Sequence, residues 1–228
     1  MIIPVLNDTA ALVALLAQLA VQEPQPAEVI VVNGVMQPND VSQGDVGRVC
    51  AESGARYLIA PAGRGQQLRA GAADAKGDIL WFLHADARLP ANATRAIHRA
   101  LAAGAASGYF QFRFSGVVTL RKRIIEQCVR WRCRLGTVYG DQGLFAQRSV
   151  YDFTPGFSAT PLFEEVPLVK ALRRQGNFVA LPECIVVDSR RWDQRGYWIQ
   201  TLVNRLLAFG YALGISTDRL ALWYRGRD

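Results

Sequence analysis

Several polar residues of this 228-residue chain stand where their types and spacing could do chemistry. His84-Ala85-Asp86 closes the apolar run DILWFLH, Asp78 to His84. On a strand, residues i and i+2 share a face, so His84 and Asp86 can approach one ion together. A carboxylate placed there can hold Mg2+ or Mn2+ against a diphosphate, because hard cations take oxygen ligands and keep positions open for phosphate. Glu164-Glu165 offers a second centre, since neighbouring like charges raise a carboxylate pKa toward working pH and suit one member to general-base work. Gly63-Arg64-Gly65-Gln66-Gln67 joins a pliable backbone to a guanidinium, a combination able to wrap a diphosphate and base. Arg190-Arg191-Trp192 sets positive charge beside an aromatic face, suited to a phosphate or a sugar ring. Each has a plainer reading. Asp86 then caps a turn, His84 is a satisfied core histidine, the glutamates compensate a helix dipole, and the glycine and arginine segments are surface turns.

These residues need elements to bring them together. Ile2 to Leu6 reads as a strand ending at the capping types Asn7-Asp8-Thr9, with a helix from Ala10 to Ala20. Glu28 to Val32 is a continuous β-branched run, the pattern of a strand buried on both faces, and it ends at Asn33-Gly34. Val46 to Ser53, Gln66 to Ala75 and Pro90 to Ala103 read as helices. Ala55 to Ala60 and Asp78 to His84 read as strands. This repeated βα order predicts a doubly wound sheet, mostly parallel, whose ligands lie at the carboxyl ends of the strands. Asn7-Asp8, Asn33-Gly34 and His84-Ala85-Asp86 should therefore meet.

The second half changes character. Ser107 to Ser115 alternates aromatic and polar residues, which predicts a half-exposed antiparallel strand. Leu120 to Leu135 is a basic helix, Gly140-Asp141-Gln142-Gly143 a tight loop before the strand Leu144 to Ala146, Thr160 to Arg174 a helix, Asn177 to Val187 a strand, and Trp198 to Gly214 a long amphipathic helix. One domain is expected over 1–228, dividing in character at about residue 105 and ending in a helical segment.

Lys and Arg number 26 against 19 Asp and Glu, a net charge of +7, which suits phosphate-bearing partners or an anionic membrane surface. Nucleic acid is not expected, because the aromatic strand lacks the spacing of an RNA-recognition sheet and the basic residues form no known module. Cys50, Cys128, Cys133 and Cys184 form no CxxC pair and read as buried free thiols of a reducing compartment. No basic leader precedes IIPVL, and no apolar run approaches the ~20 residues of a spanning helix. A cytoplasmic protein is expected, with peripheral contact at the inner membrane left open.

The ordered series IIPVLND, EVIVVNG, GRGQQLRAGA, GDILWFLHAD, GDQG, PLFEEVPLVKALRRQG and SRRW resembles the family-2 glycosyltransferases of GT-A fold, and most of all a small bacterial branch carrying LHAD, YGDQG and an acidic pair. The resemblance runs from about Ile2 to Trp192. It implies nucleotide contacts from Pro4, Asn7, Asn33, Arg64 and Gln67. It places the metal-binding DxD on His84-Ala85-Asp86, makes Glu165 the base beside Glu164, and sets Arg191-Trp192 near the donor phosphates or the acceptor. Asn33 and His84 stand where the family more often has aspartate.

The expected reaction is transfer of a sugar from a UDP- or GDP-type nucleotide diphosphate sugar to an unknown acceptor, with inversion and a divalent cation, Mn2+ or Mg2+. The alternative is a non-catalytic protein that binds such donors. A nucleotidyltransferase lacks support, since no Lys-bearing Gly-rich loop follows the first strand. Within Leu120 to Leu135, Leu120, Ile124, Cys128, Trp131 and Leu135 share one helical face, which either packs on the core or lies in a headgroup layer. The latter arrangement would bring a lipid-linked acceptor beside Asp141 and Gln142.

Overall fold

The structure, a computed structural model, describes residues 1–6, 8–36 and 42–225, without the side chains of residues 42, 43, 191 and 225. In chain order the first half holds β1 (Ile2–Val5), α1 (Thr9–Ala20), β2 (Ile30–Val35), α2 (Ser42–Ser53), β3 (Arg56–Pro61), α3 (Arg64–Asp74), β4 (Ile79–Trp81) and α4 (Ala93–Ala102). The second half holds β5 (Ser107–Phe114), α5 (Leu120–Arg134), β6 (Phe145–Gln147), α6 (Arg148–Tyr151), α7 (Val166–Gln175), β7 (Phe178–Val187), α8 (Arg190–Arg195), α9 (Tyr197–Ala212) and α10 (Thr217–Arg225).

The strands β1, β2 and β3 pair in parallel, in that order. A second sheet runs β4-β6-β5-β7, with β6 antiparallel to both neighbours and β5 parallel to β7. A parallel bridge between Ile2 and Phe82, with Leu83 N–H donating to the Ile2 carbonyl at 3.1 Å, joins the two. The result is the expected doubly wound, mostly parallel sheet with helices around it. Helix α1 begins where Asp8 accepts from Ala11 N–H at 3.1 Å, and it buries Leu12, Leu15, Leu16 and Leu19, one face at helical spacing. Full burial of each leucine is worth about 1.5–3 kcal/mol. Helix α3 approaches β1 and β2 so closely that a Cβ on Gly71 would lie 2.4 Å from Ile2 Cγ2.

Four expectations need revision. The strand β5 lies inside its sheet, antiparallel to β6 but parallel to β7, with Tyr109, Phe110, Phe112 and Phe114 all buried. Phe110, Phe112 and Phe114 share one face, on which Phe110 joins the core with Trp81 and Phe145 while α5 and Tyr197 of α9 pack with Phe112 and Phe114; the polar face stays half open, with Gln111 half-buried and Arg113 exposed. The ladder of β4 stops at Trp81, with one further bridge at Phe82. His84 therefore lies beyond it, in a turn closed by Ala87 N–H to the His84 carbonyl at 3.1 Å, and the same-face argument for His84 and Asp86 does not apply. The helix expected from Thr160 starts only at Val166. Phe163 just before it holds φ +61, a left-handed backbone that no helix continues through, and Pro167 takes the early position where a missing N–H is harmless. Among the four free cysteines, Cys128 is exposed.

The stripe on α5 faces solvent. Leu120, Ile124, Trp131 and Leu135 are exposed, and the inward positions are Lys122, Ile125 and Cys133. No helix of the described residues is long and apolar enough to cross a membrane.

Candidate active site at the strand ends

The carboxyl ends of β1, β2 and β4 carry the first group of predicted residues. Asn7 lies outside the described residues. Pro4 is buried within β1, paired in register with Val32. Asn33 is fully buried in β2. Its Nδ2 donates to the Tyr57 hydroxyl at 3.3 Å, and its Oδ1 is enclosed with no hydrogen-bond partner. That lone acceptor suits an N–H edge of a base. Gln67 serves the scaffold, because its Nε2 donates to the carbonyls of both Val5 and Val32 at 2.8 Å and so ties the ends of β1 and β2 together. Gly34 makes room for it, since a Cβ there would lie 2.9 Å from the Gln67 side chain.

A second group gathers around the turn after β4. The ring nitrogen Nε2 of His84 is enclosed and has no partner. Burial, and then the Arg64 guanidinium, hold this imidazole well below its usual pKa, so it is neutral at working pH. Gly140 permits the approach, because a Cβ there would meet His84 Nε2 at 3.0 Å. Asp86 is exposed. Asp141, in the 3-10 turn Gly140–Gln142, has one oxygen enclosed without a partner. Burial pushes its carboxyl pKa up and nearby Asp86 adds to this, while Arg132 and Arg64 oppose it. Gln142 points the other way, to the scaffold: Nε2 donates to the Phe110 carbonyl at 3.2 Å, and Oε1 accepts from Arg132 at 2.9 Å.

The third group is the acidic pair. Glu165 is the N-cap residue of α7, where its carbonyl accepts the first helical bond from Val169 N–H at 2.9 Å. Both carboxylates are buried. Glu164 pairs with Arg64, the first residue of α3, at 3.2 Å. Among the described residues no cation pairs with Glu165, and burial followed by the Glu164 charge lifts its pKa to about 8, with Arg64 opposing the rise and Asp141 adding to it. The loop before α7 is clamped onto α3. A Cβ on Gly65 would lie 1.8 Å from the Ser158 carbonyl oxygen, and Ser158 N–H donates to the Glu164 carbonyl at 2.8 Å. The GRG sequence is thus needed for close packing as well as for its arginine. The left-handed Phe163, held between the rings of Tyr139 and Tyr211, stores backbone strain beside the pair.

A cavity of about 90 Å3 opens between β5, α5, α8 and α9, with Asp141 in its wall. Phe112, Phe114 and Trp192 make the wall aromatic, and Arg132 and Arg205 add positive charge. Three enclosed polar atoms there have no partner: Asp141 Oδ1, Trp192 Nε1 and Thr201 Oγ1. Trp192 packs edge-on to Phe114 with ring centres 5.0 Å apart. The side chain of Arg191 lies outside the described residues. Sequence reasoning did not single out Arg132, Tyr139, Thr201 and Arg205. Arg132 lies over the Tyr139 ring at 4.0 Å, and Tyr139 directly precedes GDQG, a proximity that was available as a signal. Thr201 and Arg205 were hidden on a helix read for its apolar face.

Among the described residues, no group of three or more His, Cys, Asp or Glu side chains is arranged to hold a metal. Of the two residues read as cation ligands, His84 offers a neutral, unpartnered Nε2 and Asp86 an exposed carboxylate. Donors of these kinds fit an ion whose remaining ligands are diphosphate oxygens and water.

The model of the family described as glycosyl transferase family 2 matches residues 1–159. No curated protein matches the sequence. Among solved structures, the chain is similar to a mannosyltransferase from Pyrobaculum calidifontis in complex with GDP-Man and Mn2+, at TM-score 0.65 and 19% identity over 93% of this chain. It spans 63% of that protein's length. It is also similar to glucosyl-3-phosphoglycerate synthase from Mycobacterium tuberculosis, in complex with Mn2+, UDP and glucosyl-3-phosphoglycerate, at TM-score 0.56 and 22% identity over 90% of this chain and 77% of the other. At these identities the likeness is one of fold.

Proposed function

Because the chain belongs to glycosyl transferase family 2, we propose that it moves a sugar from a nucleotide diphosphate sugar of UDP or GDP type to an acceptor hydroxyl, with inversion. One observation carries this reading: Glu165 is a buried carboxylate with a pKa near 8, fixed at a helix N-cap beside the strand ends. A base poised near the operating pH is what proton removal from a hydroxyl requires. As that proton passes to Glu165, the acceptor oxygen attacks the anomeric carbon from the face opposite the leaving diphosphate, and the bond from that carbon to the diphosphate oxygen breaks. In this reading the unpartnered Asn33 Oδ1 accepts from the base and Arg64 supplies positive charge to the diphosphate, which is supported by that enclosed acceptor and by the position of Arg64 beside Glu164. His84 and Asp86 would hold Mg2+ or Mn2+, which when bound offsets the charge on the leaving diphosphate. The aromatic cavity beside Asp141 is the acceptor side. The neighbours of similar fold were solved with GDP-Man or UDP and with Mn2+, which supports the donor and cation classes.

The direct experiment is release of nucleoside diphosphate from UDP-glucose and GDP-mannose with Mn2+, run beside Glu165→Gln. The expected result is release by the wild type only, with equal thermal shifts by the donor in both proteins. A thermal shift without release by the wild type would favour the non-catalytic donor-binding alternative. No shift with any nucleotide sugar would overturn the donor assignment.

A further inference from the structure

Two neighbouring helices on the acceptor side present apolar side chains to solvent. On α5 and its C-cap these are Leu120, Ile124, Trp131 and Leu135, of which Leu135 is 85% exposed. At 3.6 residues per turn they form one ridge, with Arg121 along one flank and Arg123 and Arg134 along the other. These three arginines are exposed. The ridge is not needed inside, since Ile125, Cys133 and the Lys122 stem already fill the inward face, with Lys122 Nζ donating to the Ser115 carbonyl. The single acid of α5, Glu126, is turned back to accept from Phe114 N–H at 2.9 Å. The outer surface of α5 is therefore apolar and cationic. Helix α9 shares the cavity wall with α5 and contains no Asp or Glu. Its exposed apolar residues, Trp198, Ile199, Leu202, Leu206, Phe209 and Leu213, recur at helical spacing beside the exposed Arg205.

We propose that this α5–α9 face docks on an anionic lipid bilayer, with the apolar ridges in the headgroup layer and the arginines among lipid phosphates. A surface helix with an apolar ridge, tryptophan and flanking basic residues binds in this way by combining burial with attraction to anionic headgroups. Charge complementarity selects the occupant. A second copy of the chain would set arginines against arginines, with no acid on these outer surfaces to pair them. The arrangement does not depend on the transferase reading. If both hold, the cavity containing Asp141 lies at the lipid surface, where a membrane-borne acceptor would meet it.

The test is sedimentation of the full chain with vesicles of phosphatidylglycerol and phosphatidylcholine in equal parts, and with phosphatidylcholine alone, at low and high salt. The chain should pellet with the anionic vesicles at low salt and stay largely in the supernatant in the other conditions. Leu206→Glu and Leu135→Glu should each weaken partitioning at least ~10-fold, and Arg134→Ala about five-fold. All three positions are exposed, so folding is checked by unchanged thermal unfolding. A wild type that stays in the supernatant with anionic vesicles at low salt overturns the proposal. So do Leu→Glu variants that pellet like the wild type, because binding would then lie elsewhere. Sedimentation velocity showing a dimer abolished by Leu206→Glu, without vesicle binding, would reassign the face to a second copy.

Discussion

Two buried or half-buried glutamates at opposite ends of the strands show how one side chain comes to hold the fold and another to be poised for the chemistry we propose. Glu28 stands just before β2, at its amino end. It accepts from Gly77 N–H at 2.9 Å, from Lys76 N–H, and from Arg56 at 2.8 Å. Burial alone would raise its pKa, but these donors outweigh it and hold the carboxyl below its ordinary value. Glu165, at the other end, is enclosed with Glu164 and Asp141 nearby, and its pKa rises to about 8. Arg64, the cation that could have quenched it, is paired with Glu164. The difference is one of donors. A carboxylate supplied with donors is a fastener, and one enclosed without them holds a proton loosely enough to exchange it.

The comparison breaks most readily on turnover. Glu165→Gln should lower kcat about 10²- to 10⁴-fold and leave donor affinity unchanged, read by steady-state kinetics and nucleotide titration. Glu28→Ala should do the reverse. Removing its carboxylate leaves the Lys76 and Gly77 N–H groups unpaired and Arg56 with Asp74 alone, at a cost of about 1–3 kcal/mol in denaturant unfolding, with kcat little changed. If the two variants gave the same pattern, the distinction would be lost. Asp86→Ala should abolish Mn2+-dependent nucleotide binding, and undiminished binding would remove Asp86 from the cation site.

Stability against pH sharpens the contrast. The folded-state pKa of Glu165 lies above its unfolded value of about 4.5, so the folded state binds more protons between these values. The stability contributed by the protonated form is present below about pH 4.5 and is lost as pH rises through about 8. Glu165→Gln should therefore be more stable than the wild type above pH 8, with the gain vanishing in acid. For Glu28, with a lowered pKa, the wild type should lose stability on acidification.

Much of this was legible in the sequence. The β-branched runs of β1 and β2 and the leucine face of α1 fix the parallel sheet, and they deliver Asn33 and the His84 turn to one rim. Two kinds of information were not legible. The first is what a polar side chain does once buried. Gln67 and Gln142 read as ligand contacts; the Gln67 amide joins the Val5 and Val32 carbonyls, and the Gln142 amide joins the Phe110 carbonyl to the Arg132 side chain. The second is which face of an amphipathic helix turns inward. On α5 the lysine stem and a cysteine lie inside and the leucines outside. Periodicity defines two faces there and does not decide between them. The late start of α7 was hidden for a similar reason, since a left-handed Phe163 is a product of tertiary packing against two tyrosine rings.

The smallest expected effect probes the pair itself. The groups facing Glu165 are Glu164, Asp141, Arg64 and the Tyr139 phenol. Glu164→Gln removes the nearest like charge and also frees Arg64 from its 3.2 Å ion pair. Both changes favour the ionised form of Glu165, so both lower its pKa. The base must be deprotonated to act, so kcat/KM of the wild type should rise with pH through a limb near 8. In Glu164→Gln that limb should move toward acid by about one pH unit, so that activity at neutral pH is kept or gained while the plateau is unchanged. The profile of kcat/KM reports the free enzyme and is the quantity to measure. A limb that stays in place would mean that another group titrates. A variant dead at every pH would make Glu164, rather than Glu165, the base.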